Sequence, residues 1–164
     1  MVRCHRCLGR SALTRTSLQT YGAKVTQIKA QIGAAIQIDE LKTALKERKY
    51  KVVTVTHVDT STGVLSDVKA IAAAVQQVSP DTLVGIHSYA IPRGSWGIQQ
   101  VIVDGVCSVA SEAISFDDWG LDVVLTASQK GLGIPPGLSL LVASQRAIKV
   151  KLSGEIATHL VTDA

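Results

Sequence analysis

No apolar run in this 164-residue chain approaches the ~20 residues that a membrane-spanning helix requires. A soluble protein with no membrane partner is therefore expected. Acidic residues are missing from the first 38 positions, which carry Arg3, Arg6, Arg10, Arg15, Lys24 and Lys29. That imbalance has two readings, a basic, hydroxyl-containing mitochondrial transit segment or an irregular chain start. A nucleic-acid-binding arm is disfavoured, because these basic residues lack aromatic neighbours on which bases could stack. Cysteine is scarce and odd in number, at three. Cys4 and Cys7 bracket His5 with the spacing of a metal or redox pair, but no second pair or distant Cys/His cluster completes four ligands. No metal site is expected. Cys107 lies in an apolar stretch and reads as a buried thiol, and the whole set suits a reduced, intracellular protein. The G-x-S-x-G elbow is also absent. Its absence argues against a Ser/His/Asp hydrolase drawn from Ser108 or Ser61 with His57 and Asp104.

What the sequence does contain is enough apolar material for a core, at 46% hydrophobic residues and a mean hydropathy of +0.26. The length suits one domain or a piece of a larger one. From residue 39 helical and strand patterns alternate. "DELKTALKERK" offers Asp39 as an N-cap, Leu41 and Leu45 four residues apart, and basic residues at its end. "YKVVTVTHV" is a β-branched strand. "SDVKAIAAAVQQVS" sets Val68, Ile71, Ala72, Val75 and Val78 on one helical stripe, with Ser66 as cap and Pro80 as stop. "VIVDGV", "LDVVLTA" and "LSLLVAS" read as three more buried strands. Apolar strands separated by amphipathic helices predict an α/β fold, three layers with a mostly parallel sheet covered on both faces. One segment breaks the rhythm. Residues 85–100, "GIHSYAIPRGSWGIQQ", separate "DTLV" from "VIVDGV", and joining those two gives one strand of ordinary length. The segment is either a long surface loop or an insertion into an otherwise complete strand.

In parallel α/β sheets ligands bind beyond the carboxyl ends of the strands. Three strands here end in reactive side chains: His57 followed by "VDTSTG", Asp104 followed by "GVCS", and the strand that leads through Ser128 and Gln129 to Lys130. A lysine amine condenses with an aldehyde in its neutral form, which partial desolvation favours. A carboxylate can keep a pyridine nitrogen protonated, so that the ring draws electrons from a carbanion. Small residues after the lysine let a flat ring approach the backbone. Together these would suit pyridoxal 5'-phosphate chemistry. Each residue also has a plainer reading: a capping aspartate, a solvated corner lysine, or a core-edge histidine.

The stretches "THVDTSTGVLSDVKAIA" and "VIVDGVCSVASEAISFDDWGLDVVLTASQKGLGIPPGLSLLVAS" closely resemble the class V aminotransferases of fold type I, in particular the alanine–glyoxylate (serine–pyruvate) group and its fungal members. With "TYGAKVTQIKA" the resemblance covers about residues 20–84 and 101–150. It implies that the chain is part of the family's cofactor-binding large domain. It further implies that Lys130 attaches the pyridoxal 5'-phosphate covalently and moves protons to and from the substrate. Asp104 would pair with the pyridine nitrogen, Val106 would pack on the ring face, Thr60 would hydrogen-bond the cofactor, and Gln129 would contact its phosphate region. His57 would shape the pocket. Cysteine desulfurases of the same class usually carry a histidine where Gln129 stands, so they fit less well. Amino-acid and 2-oxo-acid substrates and a homodimer are implied as partners, with a peroxisomal or mitochondrial address. Three segments fall outside the family pattern: residues 1–19, residues 85–100, and a short tail at 151–164. Family members are much longer, with an upstream phosphate-binding turn and a downstream substrate-clamping domain. Two functions are therefore expected in competition: alanine- or serine-dependent transamination, and a catalytically incompetent piece of such an enzyme that binds cofactor weakly or not at all.

Overall fold

Six strands form a single sheet in a computed structural model that describes residues 7–9, 19–20, 24–48, 50, 52–78 and 100–152. Strand β1 is Cys7–Gly9 and β2 is Val25–Gln27. Helix α1 (Ile38–Glu47) leads to β3 (Val52–Thr56), and helix α2 (Val68–Val78) follows. Beyond it come β4 (Gln100–Asp104), β5 (Val123–Ala127), β6 (Ser139–Ala143) and helix α3 (Gln145–Leu152). The strand order is β2-β1-β3-β4-β5-β6. Every pairing is parallel except the last, in which β6 returns antiparallel to β5. Among the described residues no helix is long and apolar enough to cross a membrane.

The register explains which side chains meet the helices. Val53 pairs with Val101, Val55 with Val103, and Val103 with Val124, and partners in a parallel ladder project to the same face. These valines share one core with Leu41 and Leu45 of α1 and with Val68, Ile71, Ala72 and Val75 of α2. The helical stripe in "SDVKAIAAAVQQVS" is thus the buried face of α2, and Val78 packs against its edge. Each large aliphatic chain so buried contributes about 1.5–3 kcal/mol. The alternate positions Thr54, Thr56, Ile102, Asp104, Val123, Leu125 and Ala127 are only half-buried on the opposite face.

Four expectations change on contact with the structure. Asp39 lies in the first turn of α1, whereas the cap position is Gln37, which makes no side-chain capping bond. The cap of α2 is Asp67 rather than Ser66, because Asp67 Oδ1 accepts the Ala70 N–H at 2.8 Å. Ser66 sits one residue earlier, buried, and its N–H donates to His57 O. Strand β6 is not buried: Leu140, Leu141 and Val142 are 40%, 59% and 55% exposed. As an edge strand it meets β5 on one side only, so composition overstated its burial. Finally β1, within the segment read as divergent, occupies the sheet between β2 and β3. Residues 81–99, with most of the suspected insertion and the strand start "DTLV", and the Cys4–His5 part of the cysteine pair lie outside the described residues.

Candidate functional site

Strands β3, β4 and β5 are parallel neighbours, so their carboxyl ends share one rim of the sheet. Backbone bonds continue the ladder past the strand ends: the His57 N–H donates to Asp104 O (3.0 Å) and the Gly105 N–H to Leu125 O (2.9 Å). Asp104 is half-buried, and its Oδ1 accepts the Val106 N–H at 3.1 Å. Among the described residues Oδ2 receives no hydrogen bond, which leaves it open to a donor beyond the rim. The chain then turns sharply, with the Ser108 and Val109 N–H groups both donating to Gly105 O. A Cβ at Gly105 would lie 2.8 Å from Val109 Cγ2 and 3.2 Å from Leu125 O, so this turn requires a glycine. From the β3 side, the exposed Thr60 reaches across with its Oγ1 3.4 Å from Cys107 Sγ.

Lys130 sits on the β5–β6 connection, whose base is tied by Ser128. The fully buried Ser128 Oγ donates to Pro135 O (2.7 Å) and accepts the Leu138 N–H (3.3 Å). Its own N–H donates to Leu138 O, and its carbonyl accepts the Ile134 N–H. Within the loop the Lys130 N–H donates to Ala127 O and the Gly133 N–H to Lys130 O. A Cβ on Gly131 would collide with Val109 O and lie 2.8 Å from Ser111 Oγ. The lysine loop therefore presses directly on the turn that starts at Asp104. This contact sets the loop that carries Gln129 and Lys130 against the turn that follows Asp104. Lys130 and Gln129 are exposed, however, and the partial burial expected for the lysine is not supplied by the described residues. The whole stretch from Gln129 to Val142 faces outward.

His57 is 4% exposed, and among the described residues its Nδ1 has no hydrogen-bond partner. Burial pushes its pKa below the ordinary 6.5, and the Glu112 carboxylate pulls it part of the way back. Its burial thus favours the neutral imidazole. Among the described residues no hydrolase triad forms: Ser108 Oγ is buried with no hydrogen-bond partner there, and Ser61 Oγ donates to Asp59 Oδ1 at 2.6 Å. Cys107 is half-buried rather than buried. A cavity of about 390 Å³ opens beside β5 and β6, lined by apolar residues such as Ile114, Phe116, Val124 and Leu140 together with Glu112 and Thr126. None of the five rim residues Thr60, Asp104, Val106, Gln129 or Lys130 lines it.

The sequence did not reveal two ties, one at the base of this site and one at the far rim of the sheet. Ser128 stood beside "QK" as an ordinary serine, and only the loop geometry reveals its clasp. Asp122 is buried at the opposite rim. Its Oδ2 accepts the Val101 N–H (2.9 Å), its Oδ1 accepts the Ser144 hydroxyl (2.9 Å), and Arg146 donates to both oxygens at 2.7 and 2.6 Å. The one hint was an aspartate interrupting "LDVVLTA".

The family model for aminotransferase class-V matches residues 11–86. Alanine–glyoxylate aminotransferase 1 of Saccharomyces cerevisiae is 40% identical over 152 residues, which cover 87% of this chain and 33% of that protein. The chain belongs to the class V aminotransferases. L-aspartate–glyoxylate aminotransferase of Paracoccus denitrificans is 33% identical, with 80% of this chain and 30% of that protein covered. The crystal structure of an alanine–glyoxylate aminotransferase from Nostoc superposes with a TM-score of 0.72 at 27% identity, over 91% of this chain and 36% of that one. The chain thus spans about a third of the length of the curated relatives it matches. Its mostly parallel α/β sheet is the fold of fold type I aminotransferases, and the family depends on pyridoxal phosphate.

Proposed function

We propose that the rim formed by β3, β4 and β5 is a pyridoxal 5'-phosphate site for transamination, passing the amino group of alanine or serine to glyoxylate or pyruvate. The observation that carries this reading is the convergence at one rim of Asp104, with an open carboxylate oxygen, and the Lys130 loop, pressed on the same turn through Gly131. A lysine amine, a carboxylate and a hydroxyl on adjacent strand ends are the donor set that a phosphorylated pyridine aldehyde requires, so the residues present fit the cofactor. When bound, the cofactor supplies an electron sink that stabilises a carbanion at the substrate α-carbon. Lys130 would hold it through Nζ and, when that amine is free, would take and return the substrate α-proton. Asp104 Oδ2 holds a proton at the ring nitrogen. Val106 covers one ring face, Thr60 donates its hydroxyl, and Gln129 binds near the phosphate. His57, buried and bonded through its backbone N–H to Asp104 O, would shape the pocket and take no part in proton transfer. The working form is proposed to be a homodimer.

The amino donor is the finest part of this reading. The relatives' names differ there, alanine in one and aspartate in another. A second reading is favoured by one observation: Gln129 and Lys130 lie on an outward-facing stretch with no wall of described residues above them. In that reading this chain alone binds the cofactor weakly or not at all.

Visible absorption of the purified chain titrated with pyridoxal 5'-phosphate, beside a Lys130→Ala variant, tests the proposal. A new band that depends on Lys130, bleaches on addition of L-alanine and yields pyruvate supports transamination. Identical spectra for the two proteins would leave the second reading.

A further inference from the structure

We propose that Cys107 is a positioning residue for Thr60, its thiol acting as the donor that turns the threonine hydroxyl outward as a donor to the cofactor. The inference rests on reading the rim as a pyridoxal 5'-phosphate site. Its foundation is the contact between Thr60 Oγ1 and Cys107 Sγ at 3.4 Å, a side-chain bridge between turns 47 residues apart in sequence.

Both ends of this bridge stand on pinned backbone. Around Thr60, Asp59 O accepts the Gly63 N–H at 2.7 Å, and Asp59 Oδ1 accepts both the Ser61 N–H and the Ser61 hydroxyl. Val58 and Leu65 close the base of that turn as a bridge. Around Cys107, Asp104 Oδ1 holds the Val106 N–H and Gly105 O holds the Ser108 N–H. What is left to settle is the threonine's rotamer and the direction of one proton. A β-branched side chain has few χ1 choices, and the sulfur contact selects one of them.

The direction of the proton follows from the chemistry of the two groups. In isolation either atom could donate. A hydroxyl has a single proton, however, and a thiol sulfur is a weak acceptor. Were Thr60 to give its proton to sulfur, it would have none for the cofactor. Facing an anionic oxygen it gives the proton there, because charge-assisted bonds are stronger than neutral ones. Its own oxygen then accepts from the Cys107 S–H. The result is a chain from thiol to hydroxyl to cofactor oxygen, in which each bond polarises the next. Cys107 itself need not touch the cofactor.

The test uses the full chain with Cys4 and Cys7 replaced by serine, so that Cys107 is the only thiol. Dissociation constants for pyridoxal 5'-phosphate are measured for this parent, Cys107→Ala, Cys107→Ser, Thr60→Val and the double variant Cys107→Ala/Thr60→Val, together with their thermal stabilities. Cys107→Ala is expected to weaken binding roughly three- to ten-fold, the span of a net neutral hydrogen bond, at unchanged stability. Cys107→Ser, which keeps a donor, should restore it to within about two-fold of the parent. The double variant should bind no worse than Thr60→Val alone, because the thiol acts only through the hydroxyl. Full affinity in Cys107→Ala, or losses that multiply in the double variant, would overturn the inference. Binding that requires Lys130 but ignores Cys107 would overturn it while leaving the functional reading intact. A chain that binds no cofactor at all overturns both.

Discussion

Replacement of Asp122 by alanine probes the rim opposite the candidate site. The carboxylate is buried and receives the Val101 N–H, the Ser144 hydroxyl and two guanidinium nitrogens of Arg146. It thereby ties the start of β4 to the start of β5 and the end of β6, a tie reinforced by the Asp122 N–H donating to Val101 O and the Ser144 N–H to Asp122 O. Removing one partner of a buried pair costs about 3–5 kcal/mol when the other charge stays buried. Arg146 is a third exposed and can turn toward water, which lowers its share. The Val101 N–H has no such escape in a residue that is 1% exposed, and a stranded buried donor costs about 1–3 kcal/mol. Asp122→Ala is therefore expected to lose about 3–4 kcal/mol. Arg146→Ala should lose less, because the carboxylate keeps the Val101 and Ser144 donors. The assay is urea unfolding followed by circular dichroism, with the slope checked for constancy. A loss below about 1 kcal/mol, or Arg146→Ala costing more than Asp122→Ala, would refute the reasoning.

Other perturbations report on separate parts of the molecule. Gly131→Ala should cost about 1–3 kcal/mol and weaken cofactor capture, because its Cβ meets Val109 O, a backbone atom that cannot swing aside; thermal melts and cofactor titration check both. Asp67→Ala removes the cap on Ala70 N–H and should lower stability by about 0.5–2 kcal/mol, whereas Asp39→Ala should not show a capping loss. Ile71→Ala, at a core position 1% exposed, should lose about 2–5 kcal/mol in urea unfolding. The His57 pKa is depressed in the folded state, so the unfolded chain binds the extra proton first as pH falls. The stability tied to a neutral His57 is then full above about pH 6.5 and is lost as pH drops through the lower folded value. His57→Gln should flatten that acid-side decline, and Glu112→Gln should deepen it; the reverse order in pH-dependent unfolding would contradict the burial argument.

Much of the frame was legible in the sequence because hydrophobic period reports burial directly. The strands ending at Thr56, Asp104 and Ala127 and the stripe from Val68 to Val75 all follow from it. Caps were harder to read, since Ser66 and Asp67 are both good caps by type and only the bond to Ala70 decides between them. The edge position of β6 was hidden for a related reason, because "LSLLVAS" has the composition of a central strand and nothing local records which neighbours it lacks. At the rim, strand ends pointed to His57, Asp104 and Lys130, and the family resemblance added Thr60. Neither could reveal the Ser128 clasp or the Thr60–Cys107 bridge, which join residues through loop geometry rather than period. The sequence left the lysine's exposure open between a pocket amine and a solvated corner, because "DVVLTAS" before it alternates buried and half-buried residues whereas the loop after it is exposed.

Capture of the cofactor by Lys130 is checked by incubating the chain with pyridoxal 5'-phosphate, reducing with borohydride, and mapping the added mass by peptide mass spectrometry. The adduct is expected on the peptide containing Lys130, and added L-alanine should diminish it. Adducts spread over surface lysines such as Lys69 and Lys149, unaffected by alanine, would contradict capture by Lys130.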